Sequence, residues 1–379
     1  MTRSLRVGVN AIFLEPGMGG LETYVLELVP ALLRVDPSLR ITVLCNDVGR
    51  DLLERQPWRE QVELVTPRGS RRGLRALYEL GPLGLVAGRR FDVLHSPALT
   101  APLFTRAANV VVLADTTWFS VPDPTEGYGP TVRLWRAIVP RVARRADRAV
   151  AISQASADDV MRHLDVPDER IDIVSLGYSA ESRANPTPAA ELRARLDLGD
   201  GPIVLNVAMK KAHKNHMRLI RALPAIRAAV GDARLVLPGP STPYEEQLRA
   251  EVARLGLDDS VLFPGYVEDA DLEGLYAAAS AFVFPSLNEG FGLPLLEAMA
   301  RGLPIVTSSI SALPEVAGDA GLLVDPTSVE KIAEATIRVL TDDALANDLA
   351  AKGRARVAEF TWERTAEGTL ASWRRALAK

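Results

Sequence analysis

The residues with the clearest capacity for chemistry are two glutamates around a glycine-rich segment. Glu289 lies in the glycine loop (residues 288–292), and Glu297 follows that loop. A buried strand is predicted at 281–285, and a short helix is predicted after the loop, because Pro294 suits a first helical turn. Glycines let backbone N–H groups approach a ligand closely, and a helix start favours an anion. The pattern therefore predicts a site for an anionic ligand that bears hydroxyls. The two carboxylates would accept hydrogen bonds from those hydroxyls.

The predicted helix also has a simpler interpretation. It should end before Gly302 and Pro304, which suit positions beyond a helix end. An ordinary surface helix with a first-turn glutamate that only offsets the helix dipole would look similar. The spacing of the glutamates alone does not separate the two interpretations, since surface helices often produce it.

A second group of candidates is the lysine loop (residues 209–215), which contains Lys210, Lys211 and Lys214. The first 209 residues contain no lysine at all. Only three lysines follow the loop, at Lys331, Lys352 and Lys379. Such a cluster, in a chain that otherwise uses arginine, indicates a selected function. A solvated loop is the alternative for Lys210 and Lys211.

Length and composition predict a soluble protein of two domains. A chain of 379 residues is too long for one ordinary core, and 24% charged residues are typical of globular proteins. A net charge of -4 gives no argument for nucleic acid as a partner. The single cysteine, Cys45, excludes an internal disulfide framework and favours a reducing compartment. We expect a cytoplasmic protein, because we find neither a secretory signal nor an apolar run of membrane-spanning length.

Apolar runs of strand length alternate with helical stretches along the chain. In the first half, strands are predicted at 5–12, 41–45, 62–65, 91–95, 110–113 and 149–152, and a helix at 21–33. In the second half, strands are predicted at 203–208, 235–238, 261–263, 281–285, 304–307 and 321–324. The alternation predicts the α/β class, with parallel sheets wrapped by helices. A stretch rich in serine, asparagine and proline at 180–201 is interpreted as the linker and the first helix beyond it.

Further candidates follow strands of the first half. His95 and Asp115 come at the carboxyl ends of two predicted strands and would face the same cleft. A turn residue or a satisfied polar group is the alternative for each. Gly19 and Gly20 precede the helix at 21–33 and could place N–H groups at a phosphate. They do not complete the dinucleotide fingerprint, and a plain turn is equally compatible.

The region 66–145 is basic, with twelve arginines and five acidic residues. Five of the arginines, Arg133, Arg136, Arg141, Arg144 and Arg145, are interspersed with apolar residues. One interpretation is an amphipathic helix that lies on anionic lipid at the inner membrane face. The other is an ordinary helix with a solvated arginine face, which we favour on the sequence alone.

The segment from Glu289 to Glu297 resembles the signature of the retaining glycosyltransferases of family 4. Further similarities are Gly19-Gly20, Ala146-Asp147-Arg148, Ala151-Ile152-Ser153, Gly265-Tyr266-Val267, Pro314-Glu315-Val316 and Phe360-Thr361-Trp362-Glu363-Arg364. The resemblance covers nearly the whole chain and implies the GT-B fold, in which two Rossmann-like parallel-sheet domains face a central cleft. We expect an acceptor-side domain at 1–180 and a nucleotide-sugar-binding domain at 190–360. Residues 361–379 are expected to form a helix that crosses back to the first domain.

The resemblance also implies roles for the candidates. Glu289 is expected to be catalytic and to hold hydroxyls of the donor sugar, and Glu297 to hold the ribose. Lys214 matches the family's phosphate-binding lysine and is a second catalytic candidate. The other donor contacts are expected from Gly19, Gly20, Tyr266, Val267, Phe291, Gly292 and Leu293.

The chain departs from the family pattern in two places. An arginine common in the family is replaced by Met209, so Lys210 or Lys211 is expected to restore the lost charge. A His-Asp pair is often found where this chain has Ala114-Asp115. Asp115 is kept as a catalytic and acceptor-side candidate, and His95 as an acceptor-side candidate.

No cofactor and no metal are expected. Asp269 and Asp271 superficially match the metal-binding Asp-x-Asp of other glycosyltransferases, but their place at a helix start favours capping and dipole compensation. The lysine loop and the glycine loop can supply the positive charge that a departing diphosphate needs.

The predicted function is therefore a retaining, metal-independent transfer of a sugar from a nucleotide-diphosphate sugar, such as GDP-mannose, to a hydroxyl. The acceptor would be a glycan, a lipid-linked molecule or a small molecule. A phosphorylase or a nucleotide-sugar epimerase of the same fold is one alternative. A non-catalytic nucleotide-sugar-binding protein is another.

Overall fold

The computed structural model describes residues 4–68, 75–114, 116–120, 130–179 and 184–378. These residues fall into two compact units. Unit 1 contains the described residues up to 120, those from 130 to 177 and those from 360 onwards, and unit 2 contains residues 178–359. The C-terminal residues thus belong to the same unit as the N-terminal ones.

The strands alternate with helices in both units. The strands are β1 (Arg6–Ala11), β2 (Arg40–Cys45), β3 (Glu63–Val65), β4 (Val93–Ser96), β5 (Ala108–Val112), β6 (Arg148–Ala151), β7 (Ile171–Ile173), β8 (Ile203–Leu205), β9 (Arg234–Pro238), β10 (Val261–Gly265), β11 (Ala281–Phe284), β12 (Ile305–Ser308) and β13 (Gly321–Val324).

The helices are α1 (Gly20–Val35), α2 (Asp47–Glu54), α3 (Arg75–Leu80), α4 (Pro82–Arg90), α5 (Thr117–Ser120), α6 (Pro130–Arg145), α7 (Gln154–Leu164), α8 (Ala189–Arg195), α9 (His216–Val230), α10 (Tyr244–Arg254), α11 (Asp269–Ala278), α12 (Leu293–Ala300), α13 (Leu313–Ala317), α14 (Val329–Thr341), α15 (Asp343–Val357) and α16 (Trp362–Leu377). Short 3₁₀ turns lie at Arg59–Gln61, Asp168–Arg170 and Ala212–Lys214.

Each unit contains a parallel sheet, as the alternation predicts. The strand order is β3-β2-β1-β4-β5-β6-β7 in unit 1 and β10-β9-β8-β11-β12-β13 in unit 2. Strands such as β11 are buried along their whole length, because helices cover both faces of a parallel sheet. The predicted α/β class with two Rossmann-like sheets is confirmed.

The strand order places the functional loops of unit 2. The order reverses between β8 and β11, which lie side by side. In open parallel sheets, ligands bind outside the carboxyl ends of the strands at such a reversal. The lysine loop follows β8 and the glycine loop follows β11. The topology therefore brings the two strongest sequence candidates to one edge of one sheet.

The predicted elements agree with the structure except in a few places. The strand expected at 203–208 ends at Leu205, where the Asn206 side chain donates instead to Val283 O at 2.7 Å. Strand β7 and helices α13, α14 and α15 were not predicted. The strand β7 is only three residues long and carries Asp172 at its centre, so it lacks an apolar run.

Helix α16 completes unit 1. It begins at the Thr361 cap, whose hydroxyl accepts the Arg364 N–H at 3.3 Å. The Thr365 hydroxyl donates to Ser175 O at 2.8 Å, and Arg34 pairs with Glu363 at 2.8 Å. Among the helices of the described ranges, not one is both long and apolar enough to cross a membrane.

Candidate functional site

The glycine loop ends at a helix start that only glycine accommodates. Gly292 is the N-cap of α12 and has φ of 115°, a conformation that residues with a side chain rarely adopt. A Cβ at this position would also lie 2.8 Å from Leu313 Cδ2. Pro294 occupies the first turn and Gly302 has a φ of 72° beyond the helix, as predicted.

Glu289 and Lys214 form an ion pair across the sheet edge. The Lys214 ammonium donates to both carboxylate oxygens of Glu289, at 2.7 and 2.8 Å. The side chains are only 20% and 11% exposed, so the pair is weakly screened by water. The structure thus brings together Glu289 and Lys214, two of the three residues expected to be catalytic.

Backbone contacts join the two loops that carry this pair. The Leu287 N–H, just before the glycine loop, donates to His213 O in the lysine loop at 2.7 Å. The buried Asn215 side chain donates to Pro285 O at 2.8 Å and to Pro326 O at 2.7 Å. Asn215 itself has a φ of 62°, which asparagine tolerates better than most residues. These contacts of His213 O and the Asn215 side chain fix the lysine loop, and the loop in turn places Lys214.

Lys210 occupies a different environment from Lys214. Its side chain is completely buried, and its ammonium donates to Gly239 O at 2.6 Å. Burial lowers the pKa of Lys210 to about 8. The solvated-loop alternative is therefore wrong for Lys210, whose ammonium holds the turn after β9. Lys211 is half-buried and precedes the 3₁₀ turn, and Met209 is exposed.

The electrostatic effect of the lysine loop is evident at His216. This residue is buried at the start of α9. Burial, and then the positive charges of Lys210, Lys214 and His213, lower the pKa of His216 to about 3. His216 is therefore a neutral imidazole beside the lysine loop.

Glu297 is half-buried in α12 and is held by a tyrosine. The Tyr276 hydroxyl donates to one Glu297 carboxylate oxygen at 2.8 Å, and burial raises the pKa of Glu297. Arg301 donates to Tyr178 Oη at 2.9 Å and to Glu297 O at 2.7 Å, and it pairs with Glu273. The surface-helix alternative is wrong, because α12 buries Leu295, Leu296, Ala298 and Met299.

Four further donor-side candidates lie in unit 2, in segments that follow strands of its sheet. Phe291 is buried in the glycine loop, and Leu293 is the first residue of α12. Tyr266 and Val267 follow β10, where Tyr266 is 70% exposed. Their proposed contacts with the nucleotide stay predictions.

Asp271 of the Asp-x-Asp sequence makes structural contacts with neighbouring side chains. The N-cap of α11 is Glu268 and makes no side-chain cap, so the capping role expected for Asp269 and Asp271 is wrong. The Asp271 carboxylate instead accepts from Thr187 at 2.7 Å and Arg195 at 2.5 Å, and the Arg195 contact lowers its pKa. Within the described ranges, no three His, Cys, Asp or Glu side chains are grouped so that they could hold a metal ion.

His95 is a core residue of unit 1, so its acceptor-side role is wrong. It is completely buried, and burial lowers its pKa to about 3. The Trp373 indole N–H donates to His95 Nδ1 at 3.2 Å, which leaves the proton on Nε2 to donate to the Tyr24 hydroxyl at 3.2 Å. A neutral imidazole with both nitrogens occupied joins β4 to α1 and α16.

The other candidates of unit 1 are less constrained. Gly19 is the N-cap of α1 with a φ of 60°, and Gly20 is exposed beside it. The Glu22 carboxylate accepts the N–H groups of Gly17 at 2.7 Å and Met18 at 3.1 Å. A phosphate contact of Gly19 and Gly20 stays a prediction. Asp115 lies outside the described residues.

The structure also adds site residues that the sequence did not reveal. Tyr276 holds Glu297, and Ser311 contacts the backbone of Glu289. Nothing in the residue types or spacing marks them, because their contacts join positions that are distant along the chain. The proximity of Ser311 to Pro314-Glu315-Val316, which the family resemblance includes, is the one available signal.

Comparisons with known proteins find similar sequences for both halves of the chain. The sequence model of glycosyl transferases group 1 matches residues 189–356, and that of glycosyltransferase family 4 matches residues 18–182. O-antigen chain mannosyltransferase B of Escherichia coli is 29% identical over 286 residues, which are 74% of each chain.

A second relative is the GDP-mannose-dependent alpha-(1-6)-phosphatidylinositol monomannoside mannosyltransferase of Mycobacterium tuberculosis. It is 35% identical over 191 residues, which cover 48% of this chain and 49% of that protein. Among solved structures, Anabaena HepE in complex with UDP and glucose has a TM-score of 0.74 at 22% identity, covering 97% of this chain and 100% of HepE.

The two family models match consecutive parts of the chain, and each part contains all or most of one of the two sheets. Together they define an enzyme class. The chain belongs to the GT-B glycosyltransferases of group 1 and family 4. It is a glycosyltransferase that uses a nucleotide sugar, and the family resemblance seen in the sequence is confirmed.

The contact of Trp373 with His95 generates a test of the unit 1 core. Trp373→Phe should lower the free energy of unfolding by about 2–4 kcal/mol, because it creates a cavity and leaves a buried nitrogen without its donor. Urea unfolding followed by circular dichroism measures this change. Arg374→Ala, at the neighbouring exposed position, is the matched control. An equal effect of the two substitutions would contradict a structural role for the His95 contact.

Proposed function

We propose that this glycosyltransferase transfers mannose from a GDP-mannose-type donor to a hydroxyl of a glycan or lipid-linked acceptor, with retention and without a metal. The observation that carries the proposal is the Lys214–Glu289 ion pair beside the start of α12. It puts a positive charge and a hydroxyl-binding carboxylate at one sheet edge, as transfer from a nucleotide sugar requires.

The leaving diphosphate needs fixed positive charge. An ammonium has three protons, and two of those on Lys214 point to Glu289, so the third can reach a phosphate oxygen. The start of α12 adds the positive end of a helix, and no side chain caps this start. These groups are preorganised, which is how an enzyme stabilises charge that develops in a transition state.

The two carboxylates suit two different sets of hydroxyls. An ionised carboxylate has about four lone-pair sites, so Glu289 can accept sugar hydroxyls while it pairs with Lys214. Glu297 has one oxygen occupied by Tyr276 and can accept a ribose hydroxyl with the other. Neither carboxylate is left to act as the acid or nucleophile of a glycosidase, which uses two carboxylates on either side of the bond.

Retention then follows from attack on the face that the diphosphate leaves. In this step the acceptor oxygen bonds to the anomeric carbon as the bond to the diphosphate oxygen breaks. The acceptor oxygen attacks directly, so the reaction needs no protein nucleophile. The acceptor proton passes to the departing phosphate oxygen, so the reaction needs no protein base. Lys214 stabilises the charge on that phosphate, and Glu289 orients the sugar.

The names of the relatives support the choice of donor and acceptor. Both reported relatives are mannosyltransferases, and one is named as GDP-mannose-dependent and as acting on a phosphatidylinositol mannoside. One of them acts on an O-antigen chain by its name. We therefore assign mannose as the sugar, GDP as the nucleotide and a glycan or glycolipid as the acceptor class.

Substitution of the ion pair tests the proposed reaction. Glu289→Gln should lower turnover about 10²–10³-fold with nucleoside diphosphate affinity retained, because it weakens a transition-state contact. Lys214→Ala should lower both turnover and affinity for GDP. Steady-state kinetics with GDP-mannose and calorimetry with GDP, with no divalent metal added, measure these effects.

Lys331→Ala removes an exposed lysine of α14 that pairs with Glu334, and it is the matched control. Turnover of Glu289→Gln at the wild-type level, or a strict need for added metal, would contradict the proposal. Product analysis with and without acceptor separates transfer from the alternatives. A phosphorylase would form a sugar phosphate, an epimerase would convert the donor alone, and a binding protein would form no product.

The surface of unit 1 favours contact with an anionic membrane. Leu85 on α4 is 74% exposed, and Phe104, whose backbone carbonyl packs against Gly84 of α4, is 68% exposed. The Arg145 guanidinium lies 4.6 Å from the centre of the Phe104 ring, and Arg89 and Arg106 are exposed nearby. Exposed apolar side chains amid arginines are the combination that anionic bilayers bind, so they favour the membrane alternative over a purely solvated face.

Liposome flotation tests this contact. The wild-type protein should float with phosphatidylglycerol vesicles at low salt and be released at high salt, because lipid electrostatics are screened. Leu85→Ser and Phe104→Ser should weaken flotation at low salt. Val48→Ser, at an exposed apolar position of α2 with 52% exposure, is the control and should float like the wild type. No binding to anionic vesicles would leave the solvated face as the correct interpretation, and equal binding to neutral vesicles would contradict the role given to the arginines.

A further inference from the structure

Ser311 adopts an unusual backbone conformation beside the glycine loop. It lies between β12 and α13 and has a φ of 61°, in the region that glycine occupies easily and serine does not. Residues held in such conformations often serve function, when the surrounding structure requires their side chain. The hydroxyl of Ser311 makes contacts that a glycine at this position could not make.

The hydroxyl holds the backbone of Glu289 on both sides. The Glu289 N–H donates to Ser311 Oγ at 2.9 Å, and the same Oγ lies 2.7 Å from Glu289 O. The Asn288 side-chain oxygen lies 2.9 Å from it as well. A hydroxyl has one proton, so it donates to one of these two oxygens at a time and accepts from the Glu289 N–H throughout.

The turn that carries Ser311 touches the glycine loop at a second point. Leu313 Cδ2 lies 2.8 Å from the position that a Cβ on Gly292 would take. The turn therefore contacts the glycine loop at its catalytic glutamate and at its last glycine. Lys214 holds the Glu289 carboxylate from the other direction.

We propose that Ser311 is a positioning residue for Glu289, fixing its backbone so that its carboxylate meets both Lys214 and the donor sugar. The inference rests on the proposed function, because it takes the role of Glu289 from there. Because Ser311 contacts the peptide groups on both sides of Glu289, the Glu289 side chain loses little conformational freedom when the sugar binds. Such preorganisation raises turnover more than it raises affinity for the nucleotide.

Two substitutions separate the hydroxyl from the backbone conformation. Ser311→Gly removes the hydroxyl and relieves the strain at positive φ, whereas Ser311→Ala removes the hydroxyl and keeps the strain. Both should lower kcat about 10- to 100-fold, the scale of a misplaced catalytic group. GDP affinity should stay unchanged, and the melting temperature of Ser311→Gly should not fall. Ser309→Ala, at a neighbouring exposed serine, is the control and should behave like the wild type.

The outcomes distinguish this inference from the proposed function. Wild-type kcat in Ser311→Gly, with a large loss in Glu289→Gln, would overturn the role of Ser311 alone. A normal kcat in both variants would overturn the role of Ser311 and the proposed function together. In the Glu289→Gln background, Ser311→Gly should cause little further loss, and an independent loss there would show that Ser311 acts elsewhere.

Discussion

The ion pair between Lys214 and Glu289 is the interaction on which the candidate site depends. Each charge loses part of its hydration at the sheet edge, and such a loss is compensated only when the geometry of the pair is good. Here a single ammonium donates to both carboxylate oxygens at short distances. Removing either partner would leave the other charge partly buried and alone.

Contacts of neighbouring loops hold Lys214 and Glu289 in the positions that their ion pair requires. Asn215 anchors the lysine loop to the segments after β11 and β13, and His213 O accepts the N–H of Leu287, just before the glycine loop. Ser311 holds the backbone of Glu289. These contacts come from loops that follow β8, β11, β12 and β13, so the parallel sheet with its order reversal is what collects them. Glu297 has its own support from Tyr276, separate from the pair.

Much of this arrangement could be predicted from the sequence. The apolar runs locate nearly all strands, and the glycine loop with Glu289 and Glu297 identifies the family, because backbone requirements and charge are local properties. Side-chain burial is not local. Only the family resemblance distinguishes Lys214 from Lys210 in the sequence, whereas in the structure Lys210 is buried and holds Gly239 O, and Lys214 pairs with Glu289.

Contacts between residues that are distant along the chain also explain why the roles of His95 and Ser311 could not be predicted from the sequence. The strand end at His95 indicates a cleft, but the partners that neutralise its imidazole come from α1 and α16, which lie far away in the sequence. Ser311 has a common residue type, and only its positive φ and its contacts with Glu289 reveal a role. A sequence pattern can therefore name a catalytic residue more readily than it can name the residues that position it.

A double-mutant cycle between Lys214 and Glu289 tests the account most directly. The kcat/KM for transfer from GDP-mannose is measured for the wild type, Lys214→Ala, Glu289→Gln and the double variant. If the two residues act as one unit, their effects are not additive, and a coupling of at least about 1 kcal/mol is expected. Losses that simply add would show that the ion pair is not the basis of the site.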